Sequence, residues 1–169
     1  MARDWRIKNR RPVRRKQVQP LLDRLAAGLG MELHVEATLL ELAIYGPWTL
    51  ILVDREPVAI ELEDPHGLRV AFPTLKGLLM WKPPSSWVSV DRGAIPFLLN
   101  GADCMSAGIQ DCDPDIEVDQ LVWIRDETHD KPIAVGWSLM SGSELKSSTS
   151  GKAVSTIHWI GDELWEMEL

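Results

Sequence analysis

The sequence predicts an α+β fold in two parts: a helix and β-meander over residues 1–82, then a mostly β unit with short helices over residues 83–169. Three observations predict it. Val18, Leu21, Leu22, Leu25, Ala26 and Leu29 recur at the spacing of one helical face. Between Thr38 and Val70, short β-rich runs alternate with turn-forming clusters. Lys82-Pro83-Pro84-Ser85-Ser86 then breaks the pattern, because each proline restricts the residue before it to extended backbone and ends a helix. A chain of 169 residues, 45% of them hydrophobic, is long enough to bury a core without disulfide or metal staples.

Taken in order, the elements begin with a charge asymmetry. Residues 1–24 hold 9 of the 18 basic residues, with Asp4 and Asp23 as their acids; the remaining residues hold 9 basic and 23 acidic ones. A basic arm, including Arg10, Arg11, Arg14, Arg15 and Lys16, is attached to an acidic body. It reads either as a polyanion-seeking segment or as a solvated, partly folded terminus. Trp5, beside Arg3, Arg6 and Lys8, has the aromatic-among-cations context of single-strand binders. The helix is expected over 18–29, with Pro20 in its first turn and Gly28 and Gly30 at its end. Strands follow at 39–45, 48–53, 58–62 and 68–71, punctuated by Gly46-Pro47, Asp54–Pro57 and Asp64–Gly67. A short helix is expected at 73–80 with Pro73 as its first residue. After the proline linker come a strand at 87–90 and a helix at 94–99, with Asp91 as N-cap and Asn100-Gly101 as its stop. Strands at 121–125 and 132–139 turn at Thr128–Asp130. Ser141 and Glu144 have capping-box spacing, and a strand at 153–160 precedes the C-terminal segment.

Several chemistries are excluded by one or two missing residues each. Asp111–Glu117 alternates acids like a calcium loop, but Ile116 and Val122 occupy the positions of the turning Gly and the bidentate Glu. Gly151-Lys152 resembles the end of a phosphate loop, but Lys146 and Ala153 replace its Gly and its hydroxyl. The four histidines have no paired spacing, and Cys104 and Cys112 match neither a zinc nor a redox motif. No catalytic residue, metal site or cofactor is therefore expected. No apolar run approaches the 18 or so residues of a membrane helix, and no signal peptide is legible, so a cytoplasmic protein is expected.

The most unusual local feature is Asn100-Gly-Ala-Asp-Cys-Met-Ser-Ala-Gly-Ile109, small residues with a glycine near each end, placed after a short helix. Glycines let backbone approach a ligand, and exposed N–H groups in such a turn can hold phosphate. The string from Val88 to Ile109 resembles the opening of a PUA domain, the module of pseudouridine synthases and archaeosine transglycosylases. Ala134-Val-Gly136, Gly151–Val154 and His158–Trp165 resemble its later strands. Phe72–Leu75 and the preceding meander resemble the pre-PUA domain of the malignant T-cell-amplified sequence family, which includes archaeal PUA proteins and the N-terminal part of ligatin.

The resemblance implies a pre-PUA domain over 1–82 and an RNA-binding β-pseudobarrel over 83–169. It implies RNA contact through Gly101, Ala102, Asp103, Met105, Ser106, Gly108 and Ile109, with Lys152 nearby. Gly101 and Gly108 would admit a close backbone approach, and Ala102 would leave room for a nucleotide. Asp103 would accept a hydrogen bond from a 2′-OH, an amino group or the loop's own backbone. Met105 and Ile109 would plug the core beneath the loop. Ser106 stands where the family often has a basic residue, which leaves the N-terminal arm as the expected electrostatic anchor. The implied function is an accessory protein of translation, non-catalytic, binding rRNA or tRNA on the small ribosomal subunit beside a separate initiation-type partner protein. Two alternatives stay open: a targeting subunit for an RNA-modification enzyme, and a protein-interaction module that binds no RNA.

Overall fold

A computed structural model describes residues 3–169. It divides into two compact units, the first running to Trp81 and including Glu168 and Leu169, the second from Lys82 to Met167. The α+β class holds in both.

The first unit is one antiparallel sheet in sequence order, β1 (Ile7–Pro12), β2 (Leu40–Tyr45), β3 (Trp48–Val53), β4 (Glu56–Glu63) and β5 (Arg69–Pro73). The meander forms because tight turns supply its reversals. Gly46 takes φ of +59° between Tyr45 and Trp48. Asp54 and Arg55 take φ of +48° and +75° between Val53 and Glu56, the double positive-φ turn that matches strand twist. Asp54 Oδ1 also accepts from the N–H groups of Thr38 and Leu39 at 2.9 and 2.8 Å, tying down the approach to β2. Pro57 sits where the β3–β4 register shifts, so the bulge falls where the ladder has no N–H to use.

Helix α1 (Arg15–Leu29) buries Val18, Leu22, Leu25 and Leu29 and packs on β5. Each such side chain contributes about 1.5–3 kcal/mol by leaving water. The helix starts one turn earlier than the apolar stripe predicts. The Arg14 N–H donates to Gln17 Oε1 at 2.9 Å and the Gln17 N–H to the Arg14 carbonyl at 2.9 Å, which closes a first turn ahead of Pro20. Pro20 therefore lies inside the helix, on its exposed side. Gly30 ends it at φ +63°. Arg24 and Arg69 both reach Glu61, at 3.0 and 2.9 Å, which ties α1 and β5 to β4.

Helix α2 (Leu75–Trp81) is capped by Thr74, whose hydroxyl accepts from Gly77 N–H at 3.3 Å and donates to the Pro57 carbonyl at 2.7 Å. Pro73 closes β5, whereas the spacing predicts it at the start of the helix.

The basic arm is not a free tail. Residues 7–12 are edge strand β1, with Ile7 opposite Tyr45 and Arg11 opposite Leu42. Asn9 takes φ of +51° within an irregularity between Lys8 and Arg11. The irregularity, the cations and Pro12 make a poor template for a further strand. Trp5 packs edge-on against Tyr45 and Trp48, with ring centroids 5.3 and 5.0 Å away, and Arg3 lies over Trp5 and Trp48. The Trp5 ring lies where a side chain on Gly46 would be, since a Cβ there would meet Trp5 Cδ2 at 2.3 Å. Trp5 is thus part of the sheet's packing, contrary to its reading as a base-stacking residue. Gly46→Ala should destabilise the first unit by about 1–3 kcal/mol, read as a lower denaturant midpoint with an unchanged slope.

The second unit is a six-stranded sheet ordered β7-β11-β10-β9-β6-β8. In chain order these are β6 (Trp87–Val90), β7 (Cys104–Met105), β8 (Ile109–Cys112), β9 (Leu121–Asp126), β10 (Pro132–Ser138) and β11 (Lys152–Trp159). Every pairing is antiparallel except β6 with β9. Helix α3 (Ile95–Leu98) follows a short 3-10 turn at Arg92–Ala94, and α4 (Gly142–Ser147) has the predicted Ser141–Glu144 capping box. Val88, Val90, Leu98, Cys104, Cys112, Val122, Ile124, Leu145 and Val154 form its core. The short strands β7 and β8 are not legible in the sequence: β7 is two residues long, and β8 runs directly into the acidic turn at Asp113–Asp115. No helix among the described residues is long and apolar enough to cross a membrane.

Candidate nucleic-acid interface

The loop after α3 is held from both ends. Asp91 Oδ1 accepts from Ala94 N–H at 3.0 Å and caps the turn before α3, as predicted. The Asp91 N–H donates to the Gly108 carbonyl at 3.0 Å, which draws the far end of the loop to the start of the turn. Gly101 leaves α3 at φ +81°, a conformation that L side chains rarely adopt. The Trp159 ring packs directly on it, so a Cβ there would lie 2.6 Å from Cζ2. β7 then pairs with β11, with Met105 opposite Lys152 and Cys104 opposite Val154.

The predicted loop residues divide by what they touch. Asp103 Oδ1 accepts from Thr156 N–H at 3.0 Å, and its Oδ2 lies 3.2 Å from Lys152 Nζ. The Thr156 hydroxyl donates to the Ala102 carbonyl at 3.0 Å. Asp103 and Lys152 therefore neutralise each other and pin the loop to β11. Asp103 thus takes its partners from β11 and not from the loop's own backbone. Ser106 is 2% exposed, and its hydroxyl faces Met140 Sδ at 3.4 Å. Its N–H donates to the Gly151 carbonyl, so it braces the loop from beneath and cannot meet a ligand without rearrangement. Gly101 faces Trp159, and the Cβ position of Gly108 faces Ala94 at 3.1 Å, so both glycines serve the loop's own packing.

Met105 reverses its expected place: it is 48% exposed, because the two-residue strand turns Cys104 inward and Met105 outward. Ile109 does pack against the core. Ala102 is exposed.

Between α3 and this loop lies a cleft of about 350 Å³. Phe97 and Met105 line it with Ala94, Ala107 and Gly108, and Asp91 and Asp103 also border it. Phe97 is 67% exposed. It carries no signal in the sequence, because a four-residue helix is too short for periodicity to say which side chain faces out. Cys104 borders the cleft, but burial, with Asp91 and Asp103 nearby, pushes its thiol up to about 12. It stays a protonated core residue, as does buried Cys112. Among the described residues no group of three or more His, Cys, Asp or Glu is placed to hold a metal.

The predicted N-terminal cations also divide. Arg10 makes a two-pronged pair with Glu41 at 2.7 and 3.0 Å, which lowers the carboxylate's pKa. Both terminal nitrogens of Arg15 donate to the Val35 carbonyl. Among the described residues, Arg11 donates to the Asn9 carbonyl, and Arg14 and Lys16 are exposed with no acidic partner. Lys8, on β1, joins them.

The six-stranded sheet of the second unit, with its glycine-bounded loop, is that of the PUA class, whose domain implies RNA binding. The family model for the PUA domain matches residues 86–160. A conserved PUA domain protein from Thermoplasma acidophilum superposes with a TM-score of 0.78 at 25% identity, covering 94% of this chain and 98% of that one. An uncharacterised protein of Methanocaldococcus jannaschii is 44% identical over 128 residues, 76% of either chain. Translation machinery-associated protein 20 of Schizosaccharomyces pombe is 39% identical over 94 residues, 52% of either chain. The chain belongs to the family of PUA-domain proteins that takes in these archaeal proteins, translation machinery-associated protein 20 and the malignant T-cell-amplified sequence proteins. Its match spans about half the length of the protein 20 relatives, 52–57%.

Proposed function

We propose that this chain is a cytoplasmic RNA-binding accessory protein of translation. It holds rRNA or tRNA on the small ribosomal subunit, acts by binding and not by catalysis, and works beside a separate initiation-type partner. The division of labour follows the two units, 1–82 as the pre-PUA part and 83–169 as the PUA part. The observation that carries the reading is the cleft beside Gly101–Gly108. A phenylalanine two-thirds exposed beside an exposed methionine is a stacking platform for a base, worth about 1–3 kcal/mol. The carboxylates there cannot attract phosphate. That role falls to Lys8, Arg11, Arg14 and Lys16, which have no carboxylate to neutralise them among the described residues. The names of the translation-associated relatives support the setting.

The test is a filter-binding titration of the whole chain against tRNA and rRNA fragments at two salt concentrations. Phe97→Ala should weaken binding on the order of tenfold. Removing residues 1–16 would delete β1, so the cations are better changed by substitution. Lys8→Gln, Arg11→Gln, Arg14→Gln and Lys16→Gln together should make the salt slope shallower by about 0.7 for each phosphate that they neutralise in the unaltered chain. An unchanged slope would remove the arm from the reading, and no binding at low salt by the unaltered chain would overturn it.

A further inference from the structure

We infer that a second groove, formed by a different face of the same short helix, holds another nucleotide of the same RNA strand, base inward and phosphate between Arg92 and Lys131. The inference rests on the RNA reading above. The groove measures about 370 Å³, and Ile95, Leu99 and Ile160 give it apolar walls. The α3 segment divides its residues between the two hollows: Ile95 and Leu99 belong to this groove, Ala94, Phe97 and Leu98 to the cleft beside the loop. Leu99 is 41% exposed.

Charge says what fits. Residues 82–167 carry 6 basic and 14 acidic side chains. Of the six cations, Arg125, Lys146 and Lys152 lie in ion pairs with Asp130, Asp111 and Asp103. The other three are Lys82, Arg92 and Lys131, which have no acidic partner among the described residues. Two of those three line this one groove. Unpaired cations meeting over an apolar wall, on a unit that otherwise repels polyanions, suit a ligand with one anionic group and one flat apolar body, which describes a nucleotide. Asp126 also borders the groove, but its carboxylate is occupied by the N–H groups of His129 and Lys131 at 2.8 Å each and by the His129 ring at 3.4 Å. Glu127 is an acceptor at the rim for a base amino group or a ribose hydroxyl.

The experiment compares the whole unaltered chain with Phe97→Ala and with the double variant Arg92→Gln/Lys131→Gln, using a tRNA transcript in filter binding across a salt series. Photo-crosslinking with peptide mapping accompanies it. Both groove cations are exposed, so the double variant should keep the unaltered thermal midpoint. The expected result is on the order of tenfold weaker binding, a salt slope shallower by about 0.7 for the one phosphate held, and loss of crosslinks from the peptide spanning residues 126–131, which borders this groove and not the cleft. If the double variant keeps the unaltered affinity and slope while Phe97→Ala loses binding, the groove holds no nucleotide and the inference falls, with the RNA reading intact. If the unaltered chain binds no RNA, both fall together.

Discussion

Asp162→Ala should destabilise the second unit by about 3 kcal/mol, measured as a lower denaturant midpoint. Asp162 is 9% exposed and serves three donors at once. Its Oδ2 lies 2.8 Å from Nδ1 of His158, itself 1% exposed, and accepts from Trp159 N–H at 3.0 Å. Its Oδ1 accepts from Trp165 N–H at 2.8 Å. Alanine would leave the ring nitrogen and two backbone N–H groups without this acceptor in a buried place. The same carboxylate sets an acid limit. Burial pushes its pKa up, but the His158 ring and the two backbone donors outweigh that and leave it below the usual range. A carboxylate lowered in the folded state adds stability that is complete above its unfolded pKa, about 3.9, and is lost as pH falls through the folded value. Asp126, lowered by backbone donors against its own burial, and Glu41, lowered chiefly by Arg10, add losses of the same sign. Asp162→Asn should therefore lose less stability than the unaltered chain as pH falls from 5 to 3, because one of these carboxylates no longer takes up a proton. Equal losses would mean that the buried pair does not govern the acid limb.

Gly101→Ala should cost about 2–4 kcal/mol and weaken RNA binding along with it. The backbone at φ +81° accounts for roughly 1–2 kcal/mol of strain in any residue with a Cβ. The approach of 2.6 Å to the Trp159 ring adds the rest, because that ring must move. The Trp159 backbone is held by its N–H bond to Asp162, so the ring and the loop beneath it must give way instead of the main chain. Hydrogen exchange read residue by residue should show weaker protection at Gly101, Ala102 and Thr156 before it shows any in β9. Gly101→Ala combined with Trp159→Ala should recover part of the loop protection, since the clash is relieved while the backbone strain remains. No recovery would place the whole cost in the backbone.

The elements that are legible in the sequence are those whose signal is local and repeated. Four buried side chains on one face announce α1, and alternating runs between Gly46-Pro47 and Asp54-Arg55 announce the meander, because turn chemistry and periodicity survive without knowledge of contacts. Ser141 and Glu144 announce the cap of α4 for the same reason. β1 escapes because three of its six side chains are cations and the strand has no alternation of apolar residues. Its pairing with β2 is made by backbone groups that carry no sequence signature, and charge alone makes it look like a tail. β7 and the outward turn of Met105 escape because a strand of two residues has no period. Ser106 looks like a surface contact because a serine in a glycine-bounded loop is usually wet. Only the neighbouring Met140 and Gly151 bury it.

The amino-acid sequence by itself determined the α+β class, the glycine-bounded loop, and the segregation of half the cations into the first 24 residues. These depend on composition and short-range spacing, which a linear string records. Tertiary structure alone decided which of those charges remain available. It set Arg10 against Glu41, Arg15 against Val35, and Lys152 against Asp103, and among the described residues it left Lys8, Arg14, Lys16, Arg92 and Lys131 without carboxylates. It also turned Trp5 inward and Phe97 outward. Pairing and exposure are properties of residues brought together from distant positions, so no count of charges along the chain could have assigned them.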